Sequence, residues 1–235
     1  MRKQQVALIL GLAIAFALIF EASVGNVAAP AGAVVEEEGT VFRSVDPCGK
    51  VALTCNVDWG EDEIPKILKI LKEQKVKITF FVSGAWAEKH PDLLRRMYVE
   101  GHEIGSHGYG HKLCTQISTE RIREALEKTE QVIEPLLGGE TLDLFAPPSG
   151  DYDQETVDLC QEEGYRLILW SADTIDWKEG STAQVITKRV LKKELDGGII
   201  LMHPQPETVK ALPQILEGIK ERGLKAGRVC DLEIY

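Results

Sequence analysis

The stretch GHEIGSHGYGH, residues 101–111, decides how the chain is read. Its first half, His102–Ser106, falls where the alternation of short strand-like runs and helical segments along the chain expects a strand. Its second half turns through Gly108 and Gly110 and presents His107 and His111 four positions apart. Each glycine would cost a helix up to ~1 kcal/mol, so these residues read as a bent loop. Two imidazoles so spaced can share one tetrahedral metal ion at about 2.0–2.1 Å, or they are two surface histidines. The spacing alone does not choose between these. The position of the loop in the fold does.

Working outward from it, short apolar runs alternate with amphipathic ones from Lys50 onward. Strands are expected at 51–56, 77–82, 102–106, 142–146, 166–171, 198–202 and 225–230, and helices near 61–74, 90–100, 119–137, 153–164, 182–195 and 207–223. In the third helix, Ser118 stands at the N-cap, and Ile122, Leu126, Val132, Ile133 and Leu136 give one apolar stripe. Nearly continuous apolar strands imply burial on both faces and hence a parallel sheet. Seven strands alternating with helices fit a closed barrel or an open doubly wound sheet. No glycine-rich phosphate loop follows the first strand, which disfavours a dinucleotide-binding fold. The expected class is therefore α/β, a distorted parallel (β/α) barrel of about seven units in a single domain.

The reactive residues follow that pattern. Asn56 and Asp58 lie at the end of the first strand, His107 and His111 after the third, and Pro148 and Ser149 after the fourth. Asp173, Asp176 and Trp177 follow the fifth strand, and His203 follows the sixth. In a parallel barrel these ends open on one rim, where active sites are built. Loops expected at the other rim, such as KEQK (72–75) and QEEG (161–164), carry only ordinary solvated charge. Asp58 is then the natural third ligand beside the two imidazoles, leaving a position for water whose pKa the ion would lower. His203 is either a general acid, its ring held by Asp173 or Asp176, or a core histidine bonded to a backbone carbonyl. Trp177 is either core packing or a wall for a sugar ring.

The net charge of −10 over 235 residues argues against nucleic acid or an anionic membrane surface as partner. Arg2 and Lys3 precede an uninterrupted apolar run, Val6–Phe20, and APAGA (29–33) offers a cleavage site. Residues 1–33 are thus expected to be a secretory signal or an N-terminal membrane anchor, placing the folded part outside the cytoplasm. Residues 21–46 have no helical or strand period and read as a tether, so 34–48 is expected to be linker and 49–235 the domain. Of five cysteines, Cys48 and Cys230 could staple the domain's ends, or most are buried free thiols.

Taken together, these residues resemble the polysaccharide deacetylases with a NodB-type domain (carbohydrate esterase family 4). TCNVDWG (54–60) is a partial match to that family's T-F-D-D-G, two residues longer, and GHEIGSHGYGH is similar to its H-[ST]-x-x-H segment. APPSG (146–150) resembles R-P-P-[YF]-G, DTIDW (173–177) matches D-x-x-D-W, and LMH (201–203) matches L-x-H. The resemblance implies a divalent metal, zinc above cobalt, nickel or manganese, on Asp58, His107 and His111. It implies hydrolytic N-deacetylation of a peptidoglycan- or chitin-like polysaccharide by a monomer. His203 would be the acid, Asp176 or Asp173 its orienting group, and Pro148, Ser149, Trp177 and Leu201 would line the substrate. Two positions depart from the pattern: the family's base Asp is Asn56 here, and the Arg that orients that base is Ala146. A neutral amide needs no counter-charge, so the two departures read as one change. Either catalysis persists by a modified route with Asp58 near the metal, or the protein is a weak or inactive sugar binder.

Overall fold

The computed structural model describes residues 39–44, 46–138 and 142–232; the apolar leader and most of the tether lie outside them. Nine strands make one sheet whose ladders are all parallel: β1 (Thr40–Val41), β2 (Lys50–Val57), β3 (Thr79–Val82), β4 (Glu103–Ser106), β5 (Leu144–Phe145), β6 (Arg166–Ile168), β7 (Ala172–Asp173), β8 (Ile199–Met202) and β9 (Lys225–Gly227). Their order is β1-β6-β5-β4-β3-β2-β8-β7, with β9 beside the start of β2. Between them run α1 (Ile64–Gln74), α2 (Gly84–Lys89), α3 (Pro91–Val99), α4 (Thr119–Ile133), α5 (Gln154–Glu162), α6 (Ala183–Leu191) and α7 (Pro206–Glu221).

Connectivity curls this sheet into a barrel. β6 and β7 lie toward opposite ends of the strand order, yet only Leu169–Ser171 separate them in the chain. Three residues span at most ~11 Å, so the two ends of the sheet must meet. Leu169 N–H to Val41 O (2.8 Å) extends the β6–β1 pairing, Ser171 N–H to Ile199 O (3.0 Å) extends the β7–β8 pairing, and Ser44 N–H to Gly197 O (2.7 Å) joins the β1 side to the β8 side.

Burial on both faces follows the two-residue period of a strand. On β2, Val51, Leu53, Cys55 and Val57 pack outward against Ile67 and Leu71 of α1. Ala52 points inward with Phe81, Leu144, Ile168 and Ile199. The same parity sends Thr54 and Asn56 inward, and Asp58 continues it at the mouth. Helix α1 starts with Pro65 in its first turn, buries Ile64, Ile67, Leu68 and Leu71 along one stripe, and stops at Lys75 in the left-handed region. Asp153 starts α5 with a capping box, accepting the Thr156 N–H at 2.9 Å.

Several expectations need correction. β1 lies inside the stretch read as linker and pairs with β6, so the domain begins before residue 49. Two residues cannot display a period. Helix α2 was not anticipated, and the run 166–171 breaks after Ile168 to resume as β7. Ser118 stands at the α4 N-cap without a side-chain cap bond, and Thr129 shares the buried stripe in which Val132 and Leu136 are only half-buried. Cys48 and Cys230 form no staple; all five cysteines are free, with Cys55, Cys114 and Cys160 buried.

One buried histidine makes the fold acid-sensitive. His102 Nδ1 accepts the Ile78 N–H at 3.1 Å, and its Nε2 is buried without a partner. Burial, reinforced by the Lys77 charge, lowers its pKa from 6.5 to about 4. Between those values the unfolded chain binds a proton that the native chain does not, so stability falls as pH drops from about 6.5 toward 4. Urea unfolding across that range should show a slope approaching 1.4 kcal/mol per pH unit from this residue. His102→Gln should flatten it by about one proton.

Candidate metal centre and active site

Both sides of the barrel mouth are set by β2 and β4, with β3 between them in register: Asn56 pairs with Phe81, and Phe81 with Gly105. That register places the end of β2 opposite the loop after β4. There Asp58, His107 and His111 each offer a ligand atom, and all three atoms lie within 4.8 Å of one another. Asp58 Oδ2 is 3.7 Å from His111 Nε2. Donors bound tetrahedrally at 2.0–2.1 Å are separated by about 3.4 Å, so small movements complete the set.

Two further observations test whether a cation fits. Asp58 Oδ2 is buried with no hydrogen-bond partner, a costly state for a carboxylate oxygen unless a cation faces it. His107 is buried, and its Nδ1 lies 2.7 Å from Ala146 O. A carbonyl only accepts, so Nδ1 carries the proton and Nε2 keeps its lone pair. Burial, partly opposed by the Asp58 charge, holds the His107 pKa down to about 4, leaving the ring neutral near pH 7. The three residues suit a divalent ion.

Across the mouth stands a second array. Asp176 Oδ1 lies 2.8 Å from His203 Nδ1, and its Oδ2 accepts the His203 N–H at 2.7 Å and the Thr208 hydroxyl at 2.6 Å. Burial alone would raise the Asp176 carboxyl, but the bonds from His203 and Thr208 outweigh it and leave its pKa below the ordinary value. Of the two acids considered for orienting His203, Asp176 does so. Asp173 instead accepts the Ile175 N–H at 2.7 Å, stabilising Ile175 at φ 49°, and burial raises its carboxyl.

Asn56, Trp59, His107, His111, Ser149, Trp170, Asp173, Trp177, Leu201 and His203 enclose a cavity of about 340 Å³ at this mouth. Asn56 Oδ1 is buried there without a partner. Pro148 belongs to the turn that carries Ser149 but does not line this cavity. Ala146 is buried in the barrel interior and contributes only its carbonyl to the site. His111 and Ser149, at φ 50° and 59°, are held in the left-handed region that non-glycine residues seldom adopt.

The sequence reading missed Trp59, Trp170 and Thr208. Trp59 stacks on His203 with ring centroids 6.0 Å apart and planes at 13°. Gly60 brings the two together: at φ +85°, a Cβ there would lie 2.4 Å from Pro204 O, so the loop after β2 can sit directly on the loop after β8. An indole beside Asp58 was the available signal for Trp59. Thr208, in the first turn of α7, gave none.

The sequence model of polysaccharide deacetylases matches residues 43–168. A peptidoglycan-N-acetylglucosamine deacetylase of Bacillus cereus is 34% identical over 81% of this chain and 70% of its own length. The protein YlxY of Bacillus subtilis is 38% identical over 77% of this chain, which spans only 56% of that relative. Among solved structures, BA3943, a pseudoenzyme of carbohydrate esterase family 4 from Bacillus anthracis, superposes with a TM-score of 0.79 at 36% identity, covering 83% of this chain and 68% of that one. A mutant of the same pseudoenzyme with restored enzymatic activity superposes equally well, at 34% identity over 83% of this chain and 71% of that one. Sequence match, barrel and rim agree, and the chain belongs to the polysaccharide deacetylase family.

Proposed function

We propose that this chain acts on N-acetylglucosamine units of a cell-envelope polysaccharide, binding them over a divalent ion, zinc by preference, and removing the acetyl group hydrolytically but slowly. One observation carries the reading: the orphaned Asp58 carboxylate converges with two imidazoles, facing a His203 already oriented by Asp176. A bound divalent cation would supply Lewis acidity toward the acetamide carbonyl and make water a better nucleophile.

The chain's own side chains do the rest. His203, with Nδ1 held by Asp176, directs Nε2 at the mouth, where it can protonate the departing amine nitrogen. Trp59 and Trp177, 41% and 60% exposed, are two of the four large hydrophobic residues exposed among the described residues. Both line the same cavity and offer flat faces to a pyranose ring. The base is the missing element. Asn56 occupies the inward position on β2, and an amide cannot take a proton from water near neutral pH. A positioned base is worth about 10²–10⁴-fold, which sets the expected deficit.

A second reading is a sugar-binding protein without turnover, favoured by Asn56 and by the similarity to a pseudoenzyme. The leader-like segment at 1–33 supports an extracytoplasmic location under either reading.

Three measurements test these assignments. Calorimetric titration with zinc should give one site per chain, weakened about 100-fold or more by His107→Ala. Acetate release from N-acetylglucosamine oligomers should rise at least about 100-fold in Asn56→Asp, and further when Ala146→Arg is added. No rise in either variant, with zinc bound, would remove the catalytic reading and leave the binding one. Trp59→Ala should weaken oligomer binding about tenfold while leaving zinc affinity unchanged; unaltered oligomer affinity would rule out the indole as a sugar platform.

A further inference from the structure

A second cavity, about 380 Å³, lies on the other side of the His107–His111 loop, between that loop and α4. Its walls adjoin the first site residue by residue: Gly108 follows His107, Gly110 precedes His111, and Pro148 precedes Ser149. Ile122, Leu126 and Phe145 give it an apolar floor. Its rim carries Lys112, Arg121 and Lys128 against a single acid, Glu124.

The charge distribution is selective. The chain as a whole carries −10, yet this rim has a cationic excess. Among the described residues, the side chains of Lys112 and Arg121 form no ion pair or hydrogen bond, while Lys128 Nζ sits 3.7 Å over the Tyr109 ring. Arg123, also on α4, lines no part of the cavity and is bonded to Glu120, Glu162 and Glu163. The α4 arginine at the cavity is thus left free, and the one turned elsewhere is neutralised. A guanidinium and an ammonium above an apolar floor form a receptor for a carboxylate with a small apolar body, since a charge-assisted bond strengthens where water is partly displaced.

We propose that this cleft is an anion subsite that seats a carboxylate carried by the sugar next to the one over Asp58, His107 and His111. This rests on the proposed function and narrows its ligand: a glycan bearing carboxylates on alternate rings, as a lactyl ether or the peptide attached to it, in preference to a neutral N-acetylglucosamine polymer. Lys112 and Arg121 hold the carboxylate, and the floor takes the adjoining methyl or side chain.

The test is calorimetry on the zinc-loaded full chain with three tetramers. One is N-acetylglucosamine alone; the second alternates it with N-acetylmuramic acid bearing free lactyl carboxylates; the third carries a dipeptide on each lactyl group. The wild type should bind one or both anionic tetramers about three- to tenfold more tightly than the neutral one, the magnitude of two partly exposed ion pairs. The tighter of the two anionic ligands identifies the carboxylate's source. The preference should vanish in Lys112→Gln/Arg121→Gln and shrink in 0.5 M salt, while affinity for the neutral tetramer and for zinc stays unchanged. Equal wild-type affinity for all three, or a preference that survives the double substitution, would overturn the subsite and leave the proposed function standing. Failure of all three to bind would overturn both.

Discussion

Everything chemical in this molecule depends on the inward parity of β2. A strand alternates its side chains, and Val51, Leu53, Cys55 and Val57 are committed to the helix layer. That commitment forces Asn56 to the barrel interior and carries Asp58 to the mouth, opposite the loop after β4. A one-residue slip would send both polar groups into the helix-packed core and four apolar side chains into the lumen. The hydrophobic packing of β2 therefore fixes where the Asp58 carboxylate meets His107 and His111. No loop rearrangement could substitute for it.

The spacing of the two polar positions also explains the partial match of the first motif. Asn56 and Asp58 are separated by a valine, so both face the same way. One inward position keeps a carboxylate that could serve as a ligand while the other carries an amide. Across the mouth, Asp176 is bonded three ways to His203 and Thr208. Loss is confined to one functional group and to Ala146, whose side chain lies in the apolar interior and whose carbonyl still orients His107. The site keeps three converging donors that could hold an ion and carries an amide where the family pattern has a carboxylate.

Much of this was legible in the sequence because it depends on strand ends. Apolar runs locate the strands, and the polar residues just beyond them fall on one rim whatever the side-chain details. Hence the barrel, the convergence of Asp58 with His107 and His111, and the place of His203 at the mouth could be read from Asp58, the H-x-x-x-H loop and LMH alone. What stayed hidden depends on tertiary approach. Asp173 and Asp176 are equivalent in sequence, and only the fold turns one toward the His203 ring and the other back to cap Ile175. Trp59 reaches His203 through the contact of Gly60 with Pro204, 144 positions apart in the chain. The two residues of β1 form a strand only because β6 offers them an edge.

That short strand has a directional consequence. β1 runs parallel to β6, so its first residue, Thr40, lies at the end of the barrel away from the mouth. Whatever precedes it in the chain is joined to the base. The described chain thus enters the barrel from the side opposite the cavity, and the two faces of the fold divide entry from chemistry.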